Sequence, residues 1–402
     1  MKNIAIFCDG TWQHLDQRTP TNVAALCRAV APRTEEGAPQ FVYYDDGVGV
    51  GQGVLDAATQ FLGGALGAGL DYKIVRAYEF ICLNYEPGDR IFILGFSRGA
   101  YTARSLGGLL RWAWILKREQ ATHVFDAMQL YRSHPLASAP QADQNAFYAA
   151  MKEFQSAHCY NVTPFTSEQE YDPENPDSLT PVGQTSAWVQ YMGVWDTVGS
   201  LGIPDRLPFA PQIDAKYKFY DTNLSWFIRS ARHAVSIDEQ RATFAPALMA
   251  NIADLNGNAH ATELVYDKRP YQQQWFPGGH GSVGGGQPDG GLSLVPMLWV
   301  AEGATRAGLA FDAGELNAYQ AGAHPDAKFQ VDSFGFDTLA MEAMGMSPRA
   351  GPGTLDETSL SARLRWHRLA SYRPVPLKRA NGLQLALENW TPSPDPQVYY
   401  CP

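Results

Sequence analysis

The five cysteines, Cys8, Cys27, Cys82, Cys159 and Cys401, never stand in C-x-x-C spacing. Their scatter and odd number indicate neither a zinc site nor a disulfide framework and point to a reducing compartment. Long apolar runs are missing too. No stretch of about twenty uncharged apolar residues is available to span a bilayer, so a soluble protein is expected. Basic residues are in deficit, 31 against 41 acidic for a net charge of −10. That balance argues against nucleic acid as a partner, and weakly against electrostatic docking on anionic membranes. The opening run Met1 to Cys8 is too short for a signal-peptide core and reads as a first strand. Cytoplasmic residence follows as the expectation, with any export through a secretion system that needs no signal peptide. Asp9, Asp45, Asp46 and Asp289 are oxygen donors without the spacing of a binding loop, so neither metal nor cofactor is expected.

What the chain does have is apolar material. Hydrophobic residues make up 45% and charged residues 18% of 402, enough for a large core with little sign of disorder. The stretch around which the chain is organised is Arg90 to Arg104, an apolar run broken by Gly95-Phe96-Ser97-Arg98-Gly99 and continued with helical spacing. It reads as strand, sharp turn, helix. G-x-S-x-G in that context is a nucleophile elbow, which lifts the serine above the sheet edge at a helix N-terminus. There, unpaired N–H groups and the helix dipole favour a developing oxyanion. The bland alternative is an ordinary tight turn.

Before the elbow, the first strand runs into Asp9-Gly10-Thr11-Trp12, helical spacing begins near Asn22, and Gln40 to Tyr44 has the β-branched and aromatic content of a second strand. Gly47 to Leu70 is either a lid or a crossover helix whose small residues let it lie close on the sheet. Asp71 to Tyr85 is helical, and Glu86-Pro87-Gly88-Asp89 stops it. This is a run of βαβ units, which implies an α/β fold of the α/β-hydrolase kind: a mostly parallel sheet with helices on both faces and inserted cap elements. Trp188 to Trp195 reads as a buried strand ending in Asp196, and Trp226 to Glu239 as a helix. Tyr271 to Phe276 reads as the last core strand, leading to the glycine-dense loop around His280, and a helix follows over Leu292 to Gly308. The last seventy residues read as irregular. The expected organisation is one core over residues 1–310, with cap-like insertions near 113–185 and 201–265, and an extension over 311–402 packed on it.

A serine hydroxyl needs an imidazole in reach and a carboxylate to fix that imidazole's tautomer. The hydrolase order Ser, Asp, His is met by Ser97, Asp196 and His280, each just after an expected strand. Asp196 could instead cap a turn. His233 is the alternative base, set beside Arg232 in the expected helix, where a structural bond is the usual explanation. The oxyanion donors expected are the backbone N–H groups of Arg98, Gly10 and Thr11. The Arg98 and Arg104 side chains could bind an anionic head group, but the preferred reading gives Arg98 its backbone role and packs Arg104 across the elbow helix. Gly279 to Gly284 also fits G-x-G-x-x-G, but it comes too late in the chain for a dinucleotide fold. Asp9-Gly10-Thr11 after a first strand suggests a phosphotransferase as well, yet the position two residues before Asp9 is Phe7 rather than a second aspartate.

Five motifs occur together and in order: Phe7 to Trp12, Gly95 to Arg104, Gly193 to Gly199, His233 to Glu239, and Trp275 to Gly286. In these the chain resembles, over roughly residues 1–310, the uncharacterised α/β-hydrolase domain family that includes phospholipase effectors of bacterial type VI secretion. The resemblance implies an α/β-hydrolase fold and a triad on Ser97, Asp196 and His280. It further implies phospholipase activity at bacterial membranes, transient contact with a membrane surface, and a secretion or immunity partner. Where family members carry Ser-Asp after the histidine, this chain has Gly281-Ser282. The expected function is therefore a serine esterase, with phospholipid the leading substrate class and small or carbohydrate esters the alternative. From other classes, a silent hydrolase-fold binding module and an Asp9-based metal-dependent phosphohydrolase stay open.

Overall fold

The computed structural model describes residues 1–10, 13–47, 65–136, 138–160, 189–199, 223–288, 290–329 and 346–393. Six parallel strands form one sheet: β1 (Asn3–Cys8), β2 (Gln40–Asp45), β3 (Arg90–Phe96), β4 (Val189–Trp195), β5 (Ala231–Ser236) and β6 (Tyr271–Phe276), in the order β2-β1-β3-β4-β5-β6. A strand covered on both faces must be apolar on both, and the central strands are. Ile4, Ile6, Ile91 and Ile93 face one helical layer, while Ala5, Phe7, Phe92 and Leu94 face the other. Period-two alternation thus sends successive side chains into two separate cores.

The first core is closed by α2 (Ala65–Asn84) and α3 (Arg98–Ala113), through Ile74, Tyr78, Leu106 and Leu110. On the opposite face lie α1 (Asn22–Ala29) and the later helix α8 (Leu294–Arg306), with Leu26, Val295 and Trp299. Between them in the chain come α4 (Val124–Arg132), α5 (Gln141–His158), α6 (Ile252–Asn258) and the one-turn α7 (His280–Gly284). Strand order reverses between β1 and β3. At such a switch point a crevice opens beyond the carboxyl ends of the strands, and there the chain places Gly10 and Ser97.

Two expectations are corrected. Trp226 to Glu239 is not a helix: Ala231–Ser236 is a fully buried central strand, paired with β4 and β6. Its Arg232 and His233 are both internal and bonded, Arg232 to the Trp299 carbonyl and Glu302, His233 to Thr197 and Gln273. The last seventy residues are not irregular throughout. After α9 (Ala313–Gly322), the segment forms α10 (Leu360–Arg368), α11 (Pro376–Arg379) and α12 (Leu383–Asn389). These bury Trp366, Leu377 and Leu387 against Val235, Ile237 and Trp275 of the sheet. Trp275 also donates its N–H to the Glu357 carbonyl at 2.8 Å and accepts from Ser359 N–H at 3.0 Å, so the extension pairs along the β6 edge. Much of the lid-or-crossover stretch (48–64) and of both cap-like insertions (161–188 and 201–222) lies outside the described residues, while Ala65 already belongs to α2.

Candidate active site

Ser97 stands between β3 and α3 at φ 58°, ψ −123°, a backbone conformation that non-glycine residues seldom adopt and that clusters at functional sites. Its neighbours must be small for this to close. A Cβ on Gly99 would lie 2.1 Å from the Cys8 carbonyl oxygen, and one on Gly95 2.6 Å from the Gly99 carbonyl oxygen. Glycine at both positions lets helix, elbow and first strand meet. Arg98 opens α3, and its N–H, as the first of the helix, has no intrahelical acceptor.

Three side chains from the ends of three strands then meet above the sheet. Ser97 Oγ lies 2.8 Å from His280 Nε2. His280 Nδ1–H donates to Asp196 Oδ2 at 2.5 Å, which fixes the tautomer and leaves Nε2 as the acceptor toward the serine. All three residues are buried. Asp196 sits at φ 39°, a second strained position, with its own N–H bonded to the Ala234 carbonyl and its Oδ1 accepting Ser236 N–H at 2.9 Å. The His280 ring is held between Phe96 and Phe244, centroids 4.6 and 4.7 Å away. A serine, imidazole and carboxylate in this relation can pass a proton from hydroxyl to imidazole as the oxygen attacks an electrophile.

Several of the groups that organise this chain were not singled out from the sequence. Arg349, from the C-terminal extension, places Nη1 2.5 Å from Asp196 Oδ1 and Nη2 2.9 Å from Oδ2. Burial works to raise the Asp196 pKa; the Arg349 guanidinium and then His280 override it and hold the carboxyl well below its ordinary value. Glu239 accepts His280 N–H at 3.2 Å and is itself gripped by Arg241 through Nε at 2.8 Å and Nη2 at 2.6 Å. Its own burial is likewise overridden by Arg241, which keeps it ionised. Glu239 falls inside a family motif and was visible there without a role. Arg349 lies in Met346-Ser347-Pro348-Arg349-Ala350-Gly351, a stretch with neither periodicity nor motif to mark it.

The remaining expected residues divide. His233 is not brought to the serine. Its Nε2 accepts Thr197 N–H at 3.2 Å and its Nδ1 faces Gln273 Oε1 at 2.9 Å, while burial and then Arg104 push its pKa down to about 3. It is a neutral structural residue within the sheet. Gly10 lies beside the site, a Cβ there falling 3.5 Å from Ser97 Cβ, but its N–H donates to Asp9 Oδ1 at 2.7 Å. Thr11 lies outside the described residues. Asp9 Oδ2 accepts from Thr21 Oγ1 at 2.7 Å and Tyr44 OH at 2.6 Å. With both oxygens taken, Asp9 acts as a clamp between the β1 loop, α1 and β2. Burial raises its pKa to about 6 against these bonds.

A family model described as the catalytic domain of Tle1-like phospholipase effectors of type VI secretion matches residues 2–303. An uncharacterized protein of Saccharomyces cerevisiae, YEL023C, is 29% identical over 254 residues, covering 60% of this chain and 32% of the yeast protein. Among solved structures, the Tle1 effector bound to the VgrG spike of the type VI secretion system matches with a TM-score of 0.34 at 16% identity, over 72% of this chain and 52% of that one. An uncharacterized protein from Pseudomonas aeruginosa matches with a TM-score of 0.39 at 16% identity, over 96% of this chain and 52% of that one. This chain therefore spans 32% of the yeast relative and 52% of each of these two structures.

Proposed function

The chain belongs to the Tle1-like phospholipase effector family, and we propose that it is a serine hydrolase that cleaves carboxylic ester bonds of phospholipids through an acyl-enzyme. The observation that carries this reading is the continuous bonded chain from Ser97 Oγ to His280 to Asp196, with separations of 2.8 and 2.5 Å.

In the proposed reaction Ser97 Oγ attacks the ester carbonyl carbon as His280 Nε2 takes its proton, and Asp196 stabilises the imidazolium so formed. The carbonyl oxygen becomes an oxyanion facing the Arg98 N–H at the start of α3, with the loop after β1 supplying the second donor. The Gly10 N–H is committed to Asp9, and Thr11, the other residue proposed for this donor, lies outside the described residues. The tetrahedral intermediate collapses, His280 gives its proton to the departing alcohol oxygen, and the acyl group stays on Ser97. Water then attacks the acyl carbon, losing a proton to His280, which returns it to Ser97 as the fatty acid leaves.

By family, the proposal extends to a membrane surface as the place of action and to a secretion partner that carries the protein there. Among the described residues no helix is long and apolar enough to cross a membrane. The test is fatty-acid release from phospholipid vesicles, with short-chain esters in parallel, for wild type and Ser97→Ala. The reading requires vesicle turnover that Ser97→Ala abolishes. Turnover of short esters alone would replace phospholipid with a small-ester substrate, and full activity in Ser97→Ala would overturn the mechanism.

A further inference from the structure

We infer that Arg349 is a positioning residue of the Ser97 centre, delivered to Asp196 by a segment that lies beyond the matched catalytic domain. The inference rests on the hydrolase reading above and goes past it, since residues 2–303 contain the serine, the aspartate and the histidine but not this arginine.

The geometry is specific. The guanidinium meets the carboxylate end-on, Nη1 to Oδ1 and Nη2 to Oδ2, the bidentate arrangement that only arginine makes. Each of these nitrogens has a second acceptor: Nη1 donates to the Ser236 carbonyl at 2.9 Å and Nη2 to the Phe244 carbonyl at 2.6 Å. One buried cation thereby ties the turn after β4, the end of β5 and the loop that carries Phe244, whose ring lies against His280. The segment is strapped in place around it. Ser347 N–H donates to the Gln240 carbonyl at 2.7 Å, Met346 bridges to Arg241, and Arg379 from α11 donates to the Arg349 carbonyl at 2.8 Å.

Asp196 must do two things that conflict. It has to stay ionised while fully buried, and it has to hold His280 in one orientation with a single oxygen. A lone buried carboxylate would be free to rotate between Ser236 N–H, His280 and other donors. Arg349 engages both oxygens at once, so the Oδ2 lone pair facing His280 stays where the imidazole needs it.

The experiment compares wild type, Arg349→Lys, Arg349→Met and Arg349→Ala in full-length protein, on a soluble ester, with Ser97→Ala as the reference for the hydrolase reading. Arg349→Met is expected to lose kcat by about 10²-fold with KM little changed, as for a reacting group displaced by a fraction of a bond length. Arg349→Lys is expected to recover part of that kcat. Guanidinium ion at millimolar, non-denaturing concentration is expected to restore turnover in Arg349→Ala, and urea is not. A low-field proton resonance of His280 Nδ1–H is expected in wild type, shifted or broadened in Arg349→Met and near its wild-type position in Arg349→Lys. Wild-type kcat in Arg349→Met would overturn the inference. So would a loss of activity that follows the melting temperature alone and that neither lysine nor guanidinium relieves. If Ser97→Ala kept full turnover, the hydrolase reading would fall, and the His280 resonance would still decide the role of Arg349: an unchanged signal in Arg349→Met refutes it.

Discussion

Glu239 Oε2 accepts the backbone N–H of His280 at 3.2 Å while Arg241 Nη2 donates to the same oxygen at 2.6 Å. The pair fixes the main chain at the point where the glycine-rich loop turns into α7, and so sets where the imidazole starts from. Breaking one half of a buried ion pair strands the other charge. Glu239→Gln is therefore expected to lower stability by about 3–5 kcal/mol and to reduce kcat, read by urea unfolding and ester turnover.

The two buried histidines separate function from structure. His280→Ala is expected to reduce kcat by at least ~10³-fold, in line with loss of a general base that acts with its serine as a unit. His233→Gln is expected to cost about 1–3 kcal/mol of stability through its lost buried bonds and to leave kcat within a few-fold of wild type. Equal kinetic losses in the two would return His233 to the role of alternative base.

Asp9 gives the protein a defined pH dependence. Its folded pKa, about 6, lies above the ordinary 3.8, so the folded state holds its proton more tightly than the unfolded chain does. Stability from this group is complete below about pH 4 and is lost as pH rises through 6, by on the order of 2–3 kcal/mol at neutral pH. Asp238 is also raised to about 6, by burial against its bonds to Gly278 and Tyr372, and acts in the same direction over the same window. Asp9→Asn can keep the Gly10 N–H acceptor while removing the charge. It is expected to flatten part of the stability loss between pH 4 and 6, leaving the Asp238 share, and to retain ester turnover. Abolished turnover in a folded Asp9→Asn would favour a phosphohydrolase built on that residue.

Trp366 anchors the segment that carries Arg349, packing beside Trp275 and Val235 with no more than 2% of its surface exposed. Trp366→Ala is expected to cost about 3–5 kcal/mol and to reduce turnover before global unfolding, as the extension loosens from the β6 edge. Coincident activity and unfolding midpoints in denaturant would contradict that.

The parts of this account legible in the sequence are those in which local pattern and chemistry agree. The elbow strand, its two glycines and the helix after it announce Ser97, Asp196 follows a strand of plainly apolar content, and His280 follows an aromatic-bounded strand and a glycine-dense loop. Strand β5 was hidden because its two polar residues, Arg232 and the neutral His233, are satisfied by partners distant in the chain, Glu302 and Gln273; periodicity has no access to such bonds. The C-terminal helices are short and two of them carry Pro or Arg, so their apolar positions are too few to show a period, yet together they bury three large side chains against the sheet. Arg349 was illegible for the same reason. Its meaning is entirely tertiary, 153 positions from the carboxylate it binds.

The most direct measurement is the intact mass of the purified protein after reaction with a fluorophosphonate, for wild type, Ser97→Ala and His280→Ala. A single covalent adduct on wild type that is absent in Ser97→Ala and strongly slowed in His280→Ala is the result this account requires. A folded wild type that forms no adduct, or a Ser97→Ala protein that still forms one, would contradict it.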